Sequence, residues 1–140
     1  MFKQIIIEPR FTFKKEEKLK SRKLIEALFK KGSSFSLRPL RVLYFFVDNN
    51  RAPLQAGFAV STKNFKKAVH RNRVKRMLRE VYRLQKNPLT ATLQKGERFM
   101  AAFFIYTGKE LTAYDELAVT MQSALQKLNT IVDEAIAAGA

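Results

Sequence analysis

No cysteine occurs in the 140 residues, and there is one histidine. The first absence excludes a disulfide framework and any thiolate metal site; the second leaves no histidine cluster to bind zinc. A reducing compartment, the cytoplasm, is the expected location. Nowhere does the chain approach the roughly 18 consecutive apolar residues of a membrane span. The run Ile5-Ile6-Ile7 behind Met1-Phe2-Lys3-Gln4 is too short for a signal peptide. A soluble protein with no membrane association is expected. Acidic residues are scarce as well: 12 Asp and Glu stand against 27 Lys and Arg, a net charge of +15. With 46% hydrophobic residues the chain suits one domain with its own core and is too short for two.

The distribution of that charge is informative. Residues 63 to 86 carry ten cations and one anion, and residues 3 to 31 carry ten cations and four anions. Residues 109 to 140 reverse the balance, with two cations and five anions. A positive patch confined to two segments is the footprint of a nucleic-acid binder rather than an even coat for solubility. Its centre is Ala68-Val69-His70-Arg71-Asn72-Arg73-Val74-Lys75-Arg76-Met77-Leu78-Arg79-Glu80-Val81-Tyr82-Arg83. At about 100° of rotation per residue, Val74, Met77, Leu78, Val81 and Tyr82 fall on one arc of a helix. Asn72, Lys75, Arg76, Arg79 and Arg83 gather on the opposite arc, which is free to face a polyanion, and the pattern points to RNA.

The remaining elements follow from local signals. Residues 1–17 lack periodicity and contain Pro9, so they form an extension that lies over the domain or stays mobile. The domain proper spans 18–135, and 136–140 are a tail. Ser21 is a candidate N-cap, Leu24, Ile25, Leu28 and Phe29 recur at helical spacing, and Gly32 sits where a left-handed C-terminal residue belongs. After a loop over Ser33–Ser36, the β-branched and aromatic run Leu40–Val47 predicts a strand, broken at Asp48–Pro53, and Ala56–Ser61 predicts a second. The basic helix is expected over Lys66 to about Lys86, stopped by Asn87-Pro88. Arg98–Tyr106 predicts a third strand, and a last helix runs from Thr112 or Ala113 to about Ala135. The order α-β-β-α-β-α defines an α+β fold, a two-layer sandwich of helices on a small central sheet.

Both alternations of these strands are apolar, so helices must cover at least one face. A short first helix half-covering the other face leaves an aromatic groove, where base stacking contributes about 1 to 3 kcal/mol per base. Tyr44 is the favoured exposed stacking group, because its hydroxyl prefers a wet or bonded end.

Ala68-Val69-His70-Arg71-Asn72-Arg73-Val74-Lys75-Arg76 resembles the signature of the protein subunit of bacterial ribonuclease P. The resemblance extends to Gly57-Phe58-Ala59-Val60-Ser61-Thr62-Lys63, to Val42-Leu43-Tyr44, and to Leu19 followed by Ile25, Phe29 and Gly32, covering roughly residues 18 to 128. Two positions depart from the family pattern. Ile25 replaces the first aromatic of the opening helix. Thr62-Lys63-Asn64-Phe65-Lys66-Lys67 is a residue longer than the family's glycine-containing loop, so Asn64 is a candidate for positive φ. The implied fold is like domain 2 of ribosomal protein S5, with a left-handed crossover between parallel strands.

The implied activity is endonucleolytic removal of the 5′ leader from precursor tRNA, with the chemistry and its Mg²⁺ ions carried by a catalytic RNA subunit. No catalytic residue is then expected in the protein, and no protein partner is required. Arg71, Arg73, Lys75, Arg76 and Arg79, with Asn72 bonding the backbone or orienting a neighbouring Arg, would clamp phosphates of the RNA subunit. Lys63, Lys66 and Lys67 would add charge at the start of the helix. The precursor tRNA leader would occupy a groove between the first helix and the sheet, with Phe29, Tyr44, Phe58 and Ile25 as its lining. Three rival readings have distinct marks. A structural RNA-binder of ribosomal type explains the charge but not the linked motifs. A standalone nuclease would need His70 as a general base with a second acid or base beside it. A membrane-surface or calmodulin-target helix would bind as an isolated peptide.

Overall fold

The computed structural model describes residues 11–139. A four-stranded sheet of order β1-β2-β4-β3 is built from β1 (Ser33–Leu37), β2 (Leu40–Val47), β3 (Leu54–Val60) and β4 (Phe99–Tyr106). β1 pairs antiparallel with β2, β2 antiparallel with β4, and β3 parallel with β4. The parallel pair requires a crossover, supplied by α2 (Ala68–Gln85) and α3 (Asn87–Lys95). α1 (Arg22–Lys31) precedes the sheet and α4 (Tyr114–Gly139) closes the chain.

The α+β class is as expected, with two elements added to the predicted order. Ser33–Ser36, expected as a loop, belongs to the strand Ser33–Leu37: Phe35 and Leu37 turn toward the core while Ser34 and Ser36 face water, and the segment folds back on β2 after a cis Arg38–Pro39 bond. Asn87-Pro88, expected only as a stop, ends α2 and also starts α3, because Pro is tolerated in a first helical turn whose N–H groups have no partner anyway. Leu89 and Leu93, one turn apart, bury that helix against the core.

Strand alternation divides the molecule into two apolar layers. Leu40 and Val42 of β2, Leu54, Ala56 and Val60 of β3, and Met100, Ala102, Phe104 and Tyr106 of β4 pack against α2, α3 and α4. On the opposite face Leu43 and Ala101 meet Leu19 and Leu28, with Leu24, Ile25, Phe45, Phe103 and Ile105 packed around them. Among the described residues α1 is the only helix on that face, and Phe45, Phe103 and Ile105 there are only partly buried.

The start of α1 matches the prediction, since Ser21 Oγ accepts from Leu24 N at 3.2 Å. Its end differs. Gly32 has φ −70 and ψ 157, extended rather than left-handed, and leads directly into β1. Glycine is needed there for close approach: a Cβ would run into the Leu28 carbonyl and lie 3.0 Å from Tyr44 O. Glu97, after α3, is the one non-glycine residue with positive φ among the described residues. Asn64 therefore does not use that conformation.

Residues 11–19 lie along the free edge of β3. Lys18 bridges Ala56 in parallel, Leu19 N donates to Ala56 O at 2.9 Å, and Gln55 Nε2 donates to Glu16 O at 2.8 Å. The edge is thereby covered against unwanted strand pairing. Phe13 reaches the main core and packs edge-on against Phe58 and Tyr82. Residues 1–10 of the predicted extension lie outside the described residues. At the other end α4 continues to Gly139, through positions set aside above as a tail.

Candidate nucleic-acid interface

Loop 61–67 sets the position of α2 on the sheet. Phe65 is buried, with its ring 5.8 Å from that of Tyr106, and anchors the loop in the core. Asn64 Nδ2 donates to Thr107 O at 3.1 Å, tying the loop to the end of β4. Arg71 Nη1 donates to Phe65 O at 2.8 Å and to Lys66 O at 2.6 Å. This guanidinium therefore holds the loop against the first turn of α2. Lys63, Lys66 and Lys67 are left exposed. No side chain caps α2 at Lys67, so its first N–H groups add partial positive charge to theirs.

Along α2 the amphipathic reading holds, with Val74, Leu78, Val81 and Tyr82 buried. Asn72, Arg73, Arg76 and Arg79 are exposed and Lys75 is half-buried. None of these cations has an acidic partner among the described residues, where the ion pairs are Arg83–Glu80 and Lys86–Glu17. An unpaired cationic helix face is available to an external anion. Arg83, expected on that face, is engaged internally: it pairs with Glu80 at 2.7 Å and donates to the Phe11 carbonyl. The Arg83 hydrogen bond holds the Glu80 carboxyl below the usual carboxylate range, against a small opposing effect of burial.

The four residues expected in the leader groove are not brought together. Phe29 is 51% exposed, with its ring edge-on to Phe103 at 5.5 Å, and Ile25 packs beside it on the α1 face. Tyr44 and Phe58 belong to the other face. Tyr44 alternates in step with Leu40 and Val42, packs against the main core and lies 6.1 Å from the Phe35 ring. Phe58 stacks on Phe104 at 5.6 Å and is enclosed by Phe13 and Tyr82. Two residues on the α1 face were missed: Phe103, which underlies Phe29, and Arg41, exposed and paired in register with Ile105. Strand parity with Leu43 was the signal that could have found Arg41.

His70 is exposed on the first turn of α2 with no side-chain partner among the described residues. No group of three His, Cys, Asp or Glu side chains that could hold a metal ion converges among the described residues. No described helix is long and apolar enough to cross a membrane.

Fold and surface thus define a small α+β domain presenting one unpaired cationic helix. The profile of the Ribonuclease P family matches residues 13–129. A Ribonuclease P protein component of Porphyromonas gingivalis is 35% identical over 121 residues, covering 86% of this chain and 88% of that one. A Ribonuclease P protein component of Chlorobium phaeobacteroides is 36% identical over 98 residues, 67% of each chain. Among solved structures, the RNase P protein from Thermotoga maritima superposes with TM-score 0.63 at 22% identity, covering 79% of this chain and 96% of that one. The Staphylococcus aureus RNase P protein gives 0.56 at 23%, covering 84% and 95%. These two establish the shared fold. The chain belongs to the Ribonuclease P protein family. It is a component of an endoribonuclease holoenzyme of tRNA processing, and an RNA is its partner in that ribonucleoprotein.

Proposed function

We propose that this chain acts in the cytoplasm by gripping the catalytic RNA subunit through α2 and the precursor tRNA leader through the α1 face, promoting 5′ maturation without supplying catalytic groups. The observation that carries the reading is the row of unpaired cations Arg73, Lys75, Arg76 and Arg79 on α2, continued by Lys63, Lys66 and Lys67. Arginine suits phosphate because its planar fork binds two oxygens at once. Arg71 acts one step removed, since its guanidinium already serves the loop carbonyls that place those lysines. Asn72, exposed between Arg71 and Arg73, is free to bond the RNA backbone.

On the opposite side of the sheet, Phe29 over Phe103 offers a stacking surface, Ile25 an apolar wall, and Arg41 a charge for a single-stranded leader. Tyr44 and Phe58 support the sheet from beneath. Neutralising phosphates on two RNAs lowers their mutual repulsion, and with it the Mg²⁺ concentration the reaction demands. The Mg²⁺ ions themselves are assigned to the RNA.

Single-turnover cleavage of a precursor tRNA at low Mg²⁺ tests the proposal, comparing the cognate RNA subunit alone, that RNA with the protein, and the protein alone. Cleavage is expected from the pair only. Cleavage by the protein alone would overturn the assignment of chemistry. RNA binding without rescue would leave a structural RNA-binder.

A further inference from the structure

Ala101, Phe103 and Ile105 of β4 alternate onto the α1 face of the sheet, and Phe103 is the aromatic among them. In register it sits between Leu43 of β2 and Gly57 of β3. Gly57 is buried and its φ is not positive, so what it supplies there is space. A Cβ on it would lie 2.6 and 2.7 Å from two ring atoms of Phe103, well inside contact distance, and 3.6 Å from Leu19 Cβ. The Phe103 ring therefore leans over bare backbone, a close approach that glycine in a strand interior permits.

This seat places Phe103 against the ring of Phe29, whose centroid is 5.5 Å away at an interplanar angle of 67°, a favoured edge-to-face geometry. Phe29 is the only aromatic of α1, and Ile25, one turn before it on the same stripe, is aliphatic. At 51% exposure an unsupported Phe29 ring would divide its time between rotamers, and only the fraction in the competent one binds a base at full affinity. A neighbouring ring that favours one rotamer in advance raises that fraction and lowers the ordering cost of binding. We infer that Phe103 is a positioning residue of the leader site: seated on the bare backbone of Gly57, it holds the Phe29 ring in the orientation on which a leader base stacks. The inference rests on the proposal that the leader binds the α1 face, and it gives Gly57 and Phe103 a role exercised through Phe29.

The holoenzyme, reconstituted with its cognate RNA subunit, is measured for affinity toward two precursor tRNAs that differ only in the leader, one natural and one abasic throughout. The temperature is one at which thermal unfolding shows every variant folded. Phe29→Ala is expected to weaken binding of the natural leader and not of the abasic one. Phe103→Leu should do the same by about three- to tenfold, the equilibrium range of one aromatic edge contact. Phe103→Tyr, which keeps a ring, should retain the wild-type affinity, and Gly57→Ala, which displaces the ring, should follow Phe103→Leu. In a Phe29→Ala background Phe103→Leu should have no further effect, since the ring it positions is gone. In single-turnover cleavage the loss should appear in the half-saturating precursor concentration. Equal losses on natural and abasic leaders, or additive losses in the double variant, overturn the positioning role and leave a purely structural one. Wild-type affinity in Phe103→Leu, or a loss in Phe103→Tyr as large as in Phe103→Leu, overturns it too. If Phe29→Ala itself leaves natural-leader affinity untouched, the leader reading fails, and the positioning role with it.

Discussion

Glu17 Oε1 lies 2.6 Å from Lys86 Nζ, joining the segment ahead of α1 to the junction of α2 and α3. Lys86 is only 4% exposed, so its ammonium depends on this one carboxylate. A buried charge stripped of its partner destabilises by roughly 3 to 5 kcal/mol, whereas removing both members is often nearly neutral. Glu17→Gln is expected near the low end, about 3 kcal/mol, because the carboxylate side keeps 17% exposure. The double variant Glu17→Gln with Lys86→Met should recover most of the loss. Urea unfolding of the three variants checks this, and a Glu17→Gln protein as stable as wild type would remove the junction's dependence on the pair.

Tyr82 is completely buried in the same region, and its hydroxyl has no hydrogen-bond partner. Burial, and to a lesser extent the charge of Glu17, pushes its pKa well above 10.0. The unfolded chain releases this proton from about pH 10 upward and the folded chain does not, so the native state binds more protons there and stability falls as pH rises. Below that pH the ionisation has no effect. Tyr82→Phe should therefore gain about 1 kcal/mol at neutral pH and lose stability less steeply above pH 10. Tyr106, raised mainly by burial and partly offset by the Thr112 N–H, leaves a residual slope. Thermal unfolding from pH 7 to 11 compares the two proteins, and parallel curves would contradict the account.

These buried contacts explain what the chain concealed when read as a sequence. Periodicity sufficed for α2, whose arc Val74-Leu78-Val81-Tyr82 is buried as expected, and for β2, which spans Leu40–Val47 as predicted. A short polar strand was harder. Ser33–Leu37 has the alternation of a strand, but serine has little strand preference and pairing with β2 decides it. Gly32 caps α1 as expected, but in an extended conformation, and the close approach of the Tyr44 carbonyl that also requires glycine there has no local mark.

The candidate site was legible in its chemistry and less so in its geometry. That α2 carries cations on one face could be read directly. That Arg71 turns back to the carbonyls of the preceding loop and Arg83 to the Phe11 carbonyl could not, since each depends on how a non-helical segment folds against α2. Tyr44 and Phe58 were grouped with Phe29 by the family resemblance. Parity along β2 and β3, counted from Leu40 and Val60, would have separated them.

That separation gives opposite expectations for two aromatic substitutions. Phe29 is largely exposed on the α1 face, so Phe29→Ala should cost little stability while weakening single-stranded leader binding by about 1 to 3 kcal/mol, the value of one stacked base. Tyr44 is half-buried under the main core, so Tyr44→Ala should cost about 2 kcal/mol of stability, less than a fully buried aromatic. Its leader affinity should be unchanged at a temperature where the variant is folded. Urea unfolding and leader binding on both variants decide the matter. The reverse pattern would return Tyr44 to the groove.

Salt dependence separates the cations of α2 in the same manner. Each phosphate neutralised by the protein releases counterions, so the logarithm of affinity falls with the logarithm of salt concentration by about 0.9 per contact on a duplex. Arg76 is exposed and unpaired, whereas Arg83 is held by Glu80 and the Phe11 carbonyl. Arg76→Ala should lower the slope for the RNA subunit by close to one contact and leave unfolding unchanged. Arg83→Ala should leave the slope nearly as it was and loosen the segment around Phe11, seen as a lower unfolding midpoint. Both variants have the same net charge, so a general electrostatic attraction would lower the two slopes equally. Unequal slopes therefore distinguish contact at named side chains from the pull of a +15 protein on any polyanion.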